Sequence, residues 1–465
     1  MHNMTIANLV KACDGKYYGP EDKLECEIAG AVTDSRTVEK DFLFIPIKGE
    51  RVDAHDFIPQ VFEMGALVTL SERELEEAPG PYILVDSSTE AMKKIAEFYR
   101  EQLNIPIVGV IGSVGKTSTK EMLASVLSQK YDVLKTAGNF NNEIGLPLTM
   151  FRIREHHQVA VLEMGISDFG EMSRLARMAK PDIAVITNIG CCHLENLIDR
   201  DGILKAKTEC FDYMKQGSLA VLNGDDDKLS TKLQVNGEPS VFYGINNEGE
   251  FGADKQVYAS EVRNLGFEGM EAKINTPVGS FVAHISIPGE HNVYNALAAT
   301  AVGIRLGLTL DEIKAGIEKA ETIAGRTNFL KIGGITVIDD CYNANPVSMK
   351  TSIEVLSHAT GRSIAVLGDM GELGAEESKL HYEVGTCVGD MKIQALFCAG
   401  KLAKNYAQAA ALANPACQVF YYESREDMTE KLLAYIQDGD SILIKASHFM
   451  EFPKVVEAIK EREEN

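Results

Sequence analysis

Between residues 103 and 190 the chain alternates between two rhythms. Short apolar runs, IPIVGVIG, VAVLEMG and DIAVITNIG, take turns with longer stretches such as STKEMLASVLSQKY and DFGEMSRLARMA, whose apolar residues recur every three or four positions. Continuous apolar runs of this length predict strands buried on both faces, and the longer period predicts amphipathic helices. Strands alternating with helices imply a parallel, doubly wound α/β sheet, which SLAVLNGDD continues. Further on, ITVIDD, SIAVLGDM, ALFCAG, QVFYYE and DSILIKAS repeat the rhythm and predict a Rossmann-like C-terminal domain. Ahead of the central block stand the strand-like pieces FLFIPIKG, ALVTLS and YILVDS and a helical TEAMKKIAEFYREQ. From about 230 to 280 the pattern breaks into short alternating runs, VYASEV, MEAKIN and SFVAHISI, expected to form antiparallel strands appended to the central domain. The expectation is three α/β domains, spanning 1–102, 103–325 and 326–465.

Charge narrows the function classes. A formal net charge of -22 argues against a protein that tracks nucleic acid, although a local positive pocket can still hold a small anion. The opening MHNMTIANLVKACDGKYYG lacks the basic and apolar regions of a signal peptide, and no run reaches the roughly 18 apolar residues a membrane span needs. A cytoplasmic protein without membrane insertion is expected. The nine cysteines are scattered without a CxxC pair, and the adjacent Cys191 and Cys192 suit neither a relaxed disulfide nor joint chelation, so reduced thiols are expected.

The candidate chemistry begins at GSVGKTST, residues 112–119, set between a predicted strand and a predicted helix. Gly112 and Gly115 let peptide N–H groups converge on phosphate oxygens, with Ser113 and Ser118 flanking them. Lys116 reaches terminal phosphates, and Thr117 offers a hydroxyl to Mg²⁺ at the helix start. The longer form of this loop has glycine where this chain has Val110. Nucleotide binding is the reading, against a chance GKT in a loop.

Other residues gather around that loop in the predicted fold. Glu163 ends VAVLE, and Asn188 and His193 follow the next strand, where doubly wound sheets collect ligands. Taken alone, His193 reads as a structural histidine, and its place after a strand end in the same sheet as the loop moves it toward a metal ligand; Lys207 in LKAKTEC reads as a solvated helix lysine. TAGNFNNEIGLPLTM holds Asn139, Asn141 and Asn142, suited to a polar substrate or to an Asn-rich turn. Asn292 and Asn295 lie one helical turn apart near a helix start; a cap explains one, and an adenine edge is a reason for the other. Arg326, near the domain junction, is placed to close onto a phosphate, with a surface arginine as the alternative.

These motifs, in this order, resemble the Mur ligase family of ATP-dependent amide ligases: GSVGKTST, GNFNNEIGLPLT, LEMG, TNIGCCHLE, AKTE, GEHNVYNALAA and GR. DDCYNANPVSMKTSIEVL and LGDMGELG resemble the branch that adds a dipeptide, and TDSRTVEKDFLFIPIKGERVDAHDF its uridine-nucleotide domain. The resemblance implies an N-terminal UDP-substrate domain, a central ATPase domain and a C-terminal Rossmann-like domain that close over the substrates. It implies ATP and Mg²⁺ as cofactors, with UDP-N-acetylmuramoyl-tripeptide and D-alanyl-D-alanine as substrates, and a monomer. Lys116 and Thr117 would handle phosphates and metal; Glu163 and His193 would bind magnesium. Asn292 and Asn295 would hold the adenine side, Arg326 the phosphates and Asp340 the ribose. Ser35 and Arg36 would meet the UDP end, Asn139 and Asn142 the muramoyl peptide, and Tyr342, Asn343 and Asn345 the incoming dipeptide. The lysine matching Lys207 is often carbamylated in the family, which would make it a metal ligand; burial and nearby positive charge favour the neutral amine this requires.

The chain departs from the family pattern at Val114, Ala54, Ala446 and His448, the last standing where arginine is common. The implied mechanism activates a carboxylate as an acyl phosphate, which an amine then attacks. Rival readings are another Mur-type amino-acid-adding ligase and a P-loop nucleotide-dependent regulatory protein.

Overall fold

Three large sheets follow one another along the chain in the computed structural model, which describes residues 1–190, 192–247 and 254–464. Cys191 of the adjacent cysteine pair lies outside the described residues. The first sheet has the order Lys16–Tyr18, Tyr82–Leu84, Val68–Ser71, Phe42–Phe44, Gly30–Val32, antiparallel at the first pairing and parallel elsewhere. The helix Ser88–Glu101 leads out of it, started by Ser87, whose side chain accepts from the Glu90 N–H.

The second sheet has nine strands. Val133–Lys135, Val159–Glu163, Ile107–Ile111, Ile183–Ile186, Leu219–Asn223, Val241–Ile245 and Val257–Asn264 run parallel, so the doubly wound reading holds. Met270–Thr276 and Gly279–Ile285 extend the same sheet in antiparallel fashion. The sequence expectation was therefore right for these last two strands, while VYASEV proves to be the seam, parallel to one neighbour and antiparallel to the other. Ile107–Ile111 shows why its sequence reads as continuously apolar. Ile107 and Ile111 face one core, Val108 and Val110 the other, and each buried side chain of this kind contributes about 1.5–3 kcal/mol.

One of those cores continues from Met4, Ile6 and Leu9 through Tyr99 to Leu162 and Ile186, joining the first sheet's layer to the second. The other packs the helices Lys116–Leu127 and His291–Arg305 onto the opposite face.

The third sheet has the order Asn328–Ile332, Ile335–Asp339, Ser441–Lys445, Ser363–Gly368, Ala395–Ala399, Gln418–Tyr422. Its first two strands form a hairpin through Gly333 and Gly334, and the remaining pairings are parallel. Gly333, at φ +56, supplies the left-handed backbone of that turn. No helix among the described residues is long and apolar enough to cross a membrane.

Candidate functional site

The strand Ile107–Ile111 delivers the chain into the glycine turn, and the helix Lys116–Leu127 carries it away. Gly112 is required by contact, because a Cβ there would sit 1.9 Å from Thr187 Oγ1. Gly115, at φ +83, is the helix cap, with no side-chain cap hydrogen bond. The next strand end grips the turn: Asn188 Oδ1 accepts from Val114 N at 3.0 Å, while Asn188 Nδ2 and Thr187 Oγ1 donate to Val114 O at 3.1 and 2.6 Å. Ser113 and Gly190 exchange hydrogen bonds of 3.0 and 3.2 Å. At Val114 the backbone makes all of these contacts, so a valine side chain is no obstacle. Lys116 Nζ donates to Gly112 O at 2.9 Å, and burial pushes its pKa down.

Glu163 closes the floor. Its Oε1 accepts from Asn141 Nδ2 at 2.8 Å, while its buried Oε2 has no hydrogen-bond partner among the described residues. Lys207 is 2% exposed and donates to Gly112 O at 3.1 Å. Burial, and then the neighbouring charge of Lys116, bring its pKa down to about 8. His193, at φ +51, lies 2.9 Å through Nδ1 from Glu372 Oε2 of the third sheet's layer. Burial lowers the His193 pKa and Glu372 opposes that shift.

The opposite wall comes from the third sheet. Arg326 stacks its guanidinium 4.1 Å from the Tyr342 ring centroid, and its buried Nε has no hydrogen-bond partner among the described residues. Asp340 is 6% exposed and heavily committed: it pairs with Lys445 Nζ at 2.6 Å and accepts from Ser352 Oγ at 2.6 Å and Thr327 N at 3.0 Å. Asn343 lines the gap, with its carbonyl held by Lys445 at 3.1 Å. Asn345 is the N-cap of the helix Pro346–Ser357 in a capping box with Ser348.

These two walls enclose a cavity of about 640 Å³. Ser113, Gly115, Lys116, Thr117, Ser118, Glu163 and His193 line one side, and Arg326, Asp340, Tyr342, Asn343 and Asn345 the other, with Asn295 between. Gly112 and Lys207 stand directly behind the lining. The strand ends Glu163, Thr187 and Asn188 thus oppose Asp340 and Lys445, the arrangement in which open α/β sheets bind ligands.

Other expected residues are placed elsewhere. Ser35 and Arg36 lie in the first sheet's layer on the short helix Ser35–Thr37, away from this cavity. Arg36 is exposed and holds Asp34 in a two-pronged ion pair of 2.9 and 2.7 Å, which lowers the Asp34 pKa to about 2. In the amide-rich loop it is Asn141 that lines the cavity; Asn139 is exposed, and Asn142 Oδ1 accepts from Ile144 N at 3.2 Å and Gly145 N at 2.8 Å. Asn292 borders a separate small recess with Arg326. It is not a cap, because Glu290 holds that position. Instead Thr119 Oγ1 donates to Asn295 Oδ1 at 2.7 Å, Asn295 Nδ2 to Asn292 Oδ1 at 2.9 Å, and Asn292 Nδ2 to Pro288 O at 2.9 Å. That buried amide chain gives both asparagines an internal use.

Sequence reasoning passed over Lys445, which reads as the end of a buried strand. Asn141 was visible within the amide cluster, but nothing in sequence separates it from its neighbours. His448 lines the mouth, its ring 6.1 Å from that of Tyr342, while Ala446 is fully buried and Ala54 opens the helix Ala54–Phe57 under the Asp53 cap.

Three models of known families match the chain in order: the Mur ligase family catalytic domain over 27–100, the Mur ligase middle domain over 110–303 and the Mur ligase glutamate ligase domain over 325–448. The UDP-N-acetylmuramoyl-tripeptide–D-alanyl-D-alanine ligase of Bacillus subtilis (strain 168) is 35% identical over 466 residues, covering 99% of each chain. Among solved structures, MurF from Acinetobacter baumannii superposes with a TM-score of 0.88 at 32% identity over 98% of both chains. MurF ligase from Thermotoga maritima in complex with ADP gives a TM-score of 0.81 at 29% identity, over 94% of this chain and 98% of that one.

Proposed function

The chain belongs to the Mur ligase family, and on that premise we infer that it is the ATP-dependent ligase joining D-alanyl-D-alanine to UDP-N-acetylmuramoyl-tripeptide. The products are UDP-N-acetylmuramoyl-pentapeptide, ADP and phosphate, in the synthesis of peptidoglycan precursors. The observation that carries this reading is the meeting, across one cavity, of the glycine turn with Lys116 and the loop Asp340–Asn345.

A carboxylate does not acylate an amine at neutral pH, since oxide would have to leave. The terminal carboxylate of the tripeptide therefore attacks the γ-phosphorus of ATP, giving an acyl phosphate and ADP. The amine of D-alanyl-D-alanine then attacks the acyl carbon, and phosphate departs. The N–H groups of the first turn after Gly115 hold phosphate oxygens, and Lys116 and Arg326 offset their charge from opposite walls. The unpartnered Arg326 Nε has a donor to spare for this work. No side chain acts as covalent nucleophile, and the enclosing walls keep water from the acyl phosphate.

Thr117, Glu163 and His193 would hold Mg²⁺; the buried Glu163 Oε2, lacking any hydrogen bond, fits a cation. Bound there, the ion supplies Lewis-acid stabilisation of phosphate charge. With a pKa near 8, Lys207 gives up its proton far more readily than a free lysine, and the neutral amine so formed would react with CO₂ to a carbamate that adds a carboxylate behind the turn. Tyr342 and Asn343 take the dipeptide side, Asn139 and Asn142 the approach of the muramoyl peptide, and Ser35 and Arg36 the uridine diphosphate. Asn292 and Asn295 border the adenine and Asp340 the ribose, through whatever acceptor capacity their internal bonds leave. In this reading residues 1–102, 103–325 and 326–465 are the three working domains of a monomeric cytoplasmic enzyme.

Phosphate release with ATP and Mg²⁺, omitting each of the two other substrates in turn, tests the assignment. Turnover is expected only with both present, with the pentapeptide product seen by mass. Turnover with neither would point to a plain ATPase and sink the reading.

A further inference from the structure

Lys120 has no part in the chemistry above, yet its side chain is 1% exposed beside the floor of the cavity. It projects from the helix Lys116–Leu127 one turn after Lys116. Its Nζ donates to Thr136 O at 2.8 Å and lies 3.1 Å from Glu121 Oε1 and 3.9 Å from Glu163 Oε2. Thr136 is tied to both partners, since its hydroxyl accepts from Glu163 N at 2.9 Å. Asn141 holds Glu163 Oε1, and Oε2 is left buried and without a hydrogen bond.

A lone buried carboxylate costs several kcal/mol unless an opposite charge stands near it. Two ammonium groups balance Glu163: Lys116, whose charge Glu163 favours, and Lys120, which stands 3.9 Å from Oε2, too far for a hydrogen bond, and so adds charge without occupying that oxygen. Glu121, which also pairs with Lys135, draws the ammonium to the other side. We propose that Lys120, braced by Thr136 and Glu121, is a positioning residue that holds Glu163 in place as a cation ligand while keeping Oε2 open. The proposal rests on the reading of Glu163 as a ligand for the divalent cation. It gives the buried ammonium a use beyond its bonds to Thr136 O and Glu121.

The test is titration of Mn²⁺ alone into the full-length protein, with free ion counted by electron paramagnetic resonance. Lys120→Met keeps the length and removes the charge; it is expected to weaken Mn²⁺ binding by about 10- to 100-fold. An unchanged affinity in a variant that melts like the parent would overturn the proposal. Glu163→Gln separates the two readings. Parental Mn²⁺ binding in that variant would overturn the ligand assignment itself, whereas loss there with no loss in Lys120→Met would overturn only the role of Lys120. Should Lys120→Met fail to fold, Glu121→Gln retains the buried ammonium but releases it toward Glu163 Oε2. That variant is then expected to bind Mn²⁺ several-fold more weakly, and parental affinity in it would count against the proposal.

Discussion

Lys207 carries an unusual burden for a side chain that is 2% exposed: its ammonium is buried next to a second cation, Lys116. Its pKa falls from 10.5 to about 8, and holding the proton at pH 7 therefore costs the native state about 3 kcal/mol. Between pH 8 and 10.5 the unfolded chain keeps a proton that the folded chain has released, so native stability rises with pH across that window. Lys207→Met removes the cost. In CO₂-free buffer that variant should be more stable than the parent by up to about 3 kcal/mol at pH 7, the gap narrowing steadily toward pH 10, while ligase turnover is lost. Denaturant unfolding of both proteins at pH 7, 8.5 and 10 reads this, and a gap independent of pH would contradict it. The turn that carries Lys116 and Thr117 is legible in the sequence because its strand–glycine–helix geometry is local. Lys120, four positions along, reads as an ordinary helix lysine. Nothing in one dimension says that Glu163 and the Thr136 carbonyl converge on it.

At the scale of elements, several amides that look available for substrate are used by the backbone. Asn345 Oδ1 accepts from Ser348 N, and the Ser348 hydroxyl accepts from Asn345 N, so this residue starts the helix Pro346–Ser357. Asn345→Ala should destabilise the protein by about 1 kcal/mol, whereas Asn345→Asp, an equally good cap, should leave unfolding near the parental midpoint. Equal losses in both variants would mean that the amide nitrogen, and not the cap oxygen, matters. Strands such as Ile107–Ile111, Ile183–Ile186 and Ser363–Gly368 were legible because burial on both faces writes a continuous apolar run, whereas the parallel strands Val133–Lys135 and Val241–Ile245 were passed over. Asn328–Ile332 was not legible either: it sits at a sheet edge, is only partly buried, and alternates too weakly to stand out. The amide chain through Thr119, Asn295 and Asn292 was equally hidden, because it joins two helices far apart in sequence.

Over the whole molecule, the cavity gathers residues from the second and third sheets but none from the first, although the first shares a continuous apolar core with the second. A substrate with a charged nucleotide at one end and a reactive carboxylate at the other suits that separation. On the proposed reading its carboxylate meets Lys116 and Arg326, while its diphosphate rests on another layer. Arg36 is the group to test there, since it is exposed and its guanidinium is already oriented by Asp34. A charge-assisted arginine–phosphate contact is worth about 1.5–3 kcal/mol. Arg36→Ala should therefore raise KM for UDP-N-acetylmuramoyl-tripeptide by about tenfold or more, leaving KM for ATP and for D-alanyl-D-alanine near parental values. Arg326→Ala, on the cavity wall, should instead lower kcat. If Arg36→Ala shifted the ATP constant and spared that of the uridine substrate, the first layer would have to be reassigned to the nucleotide triphosphate, and the glycine turn would lose its claim to it.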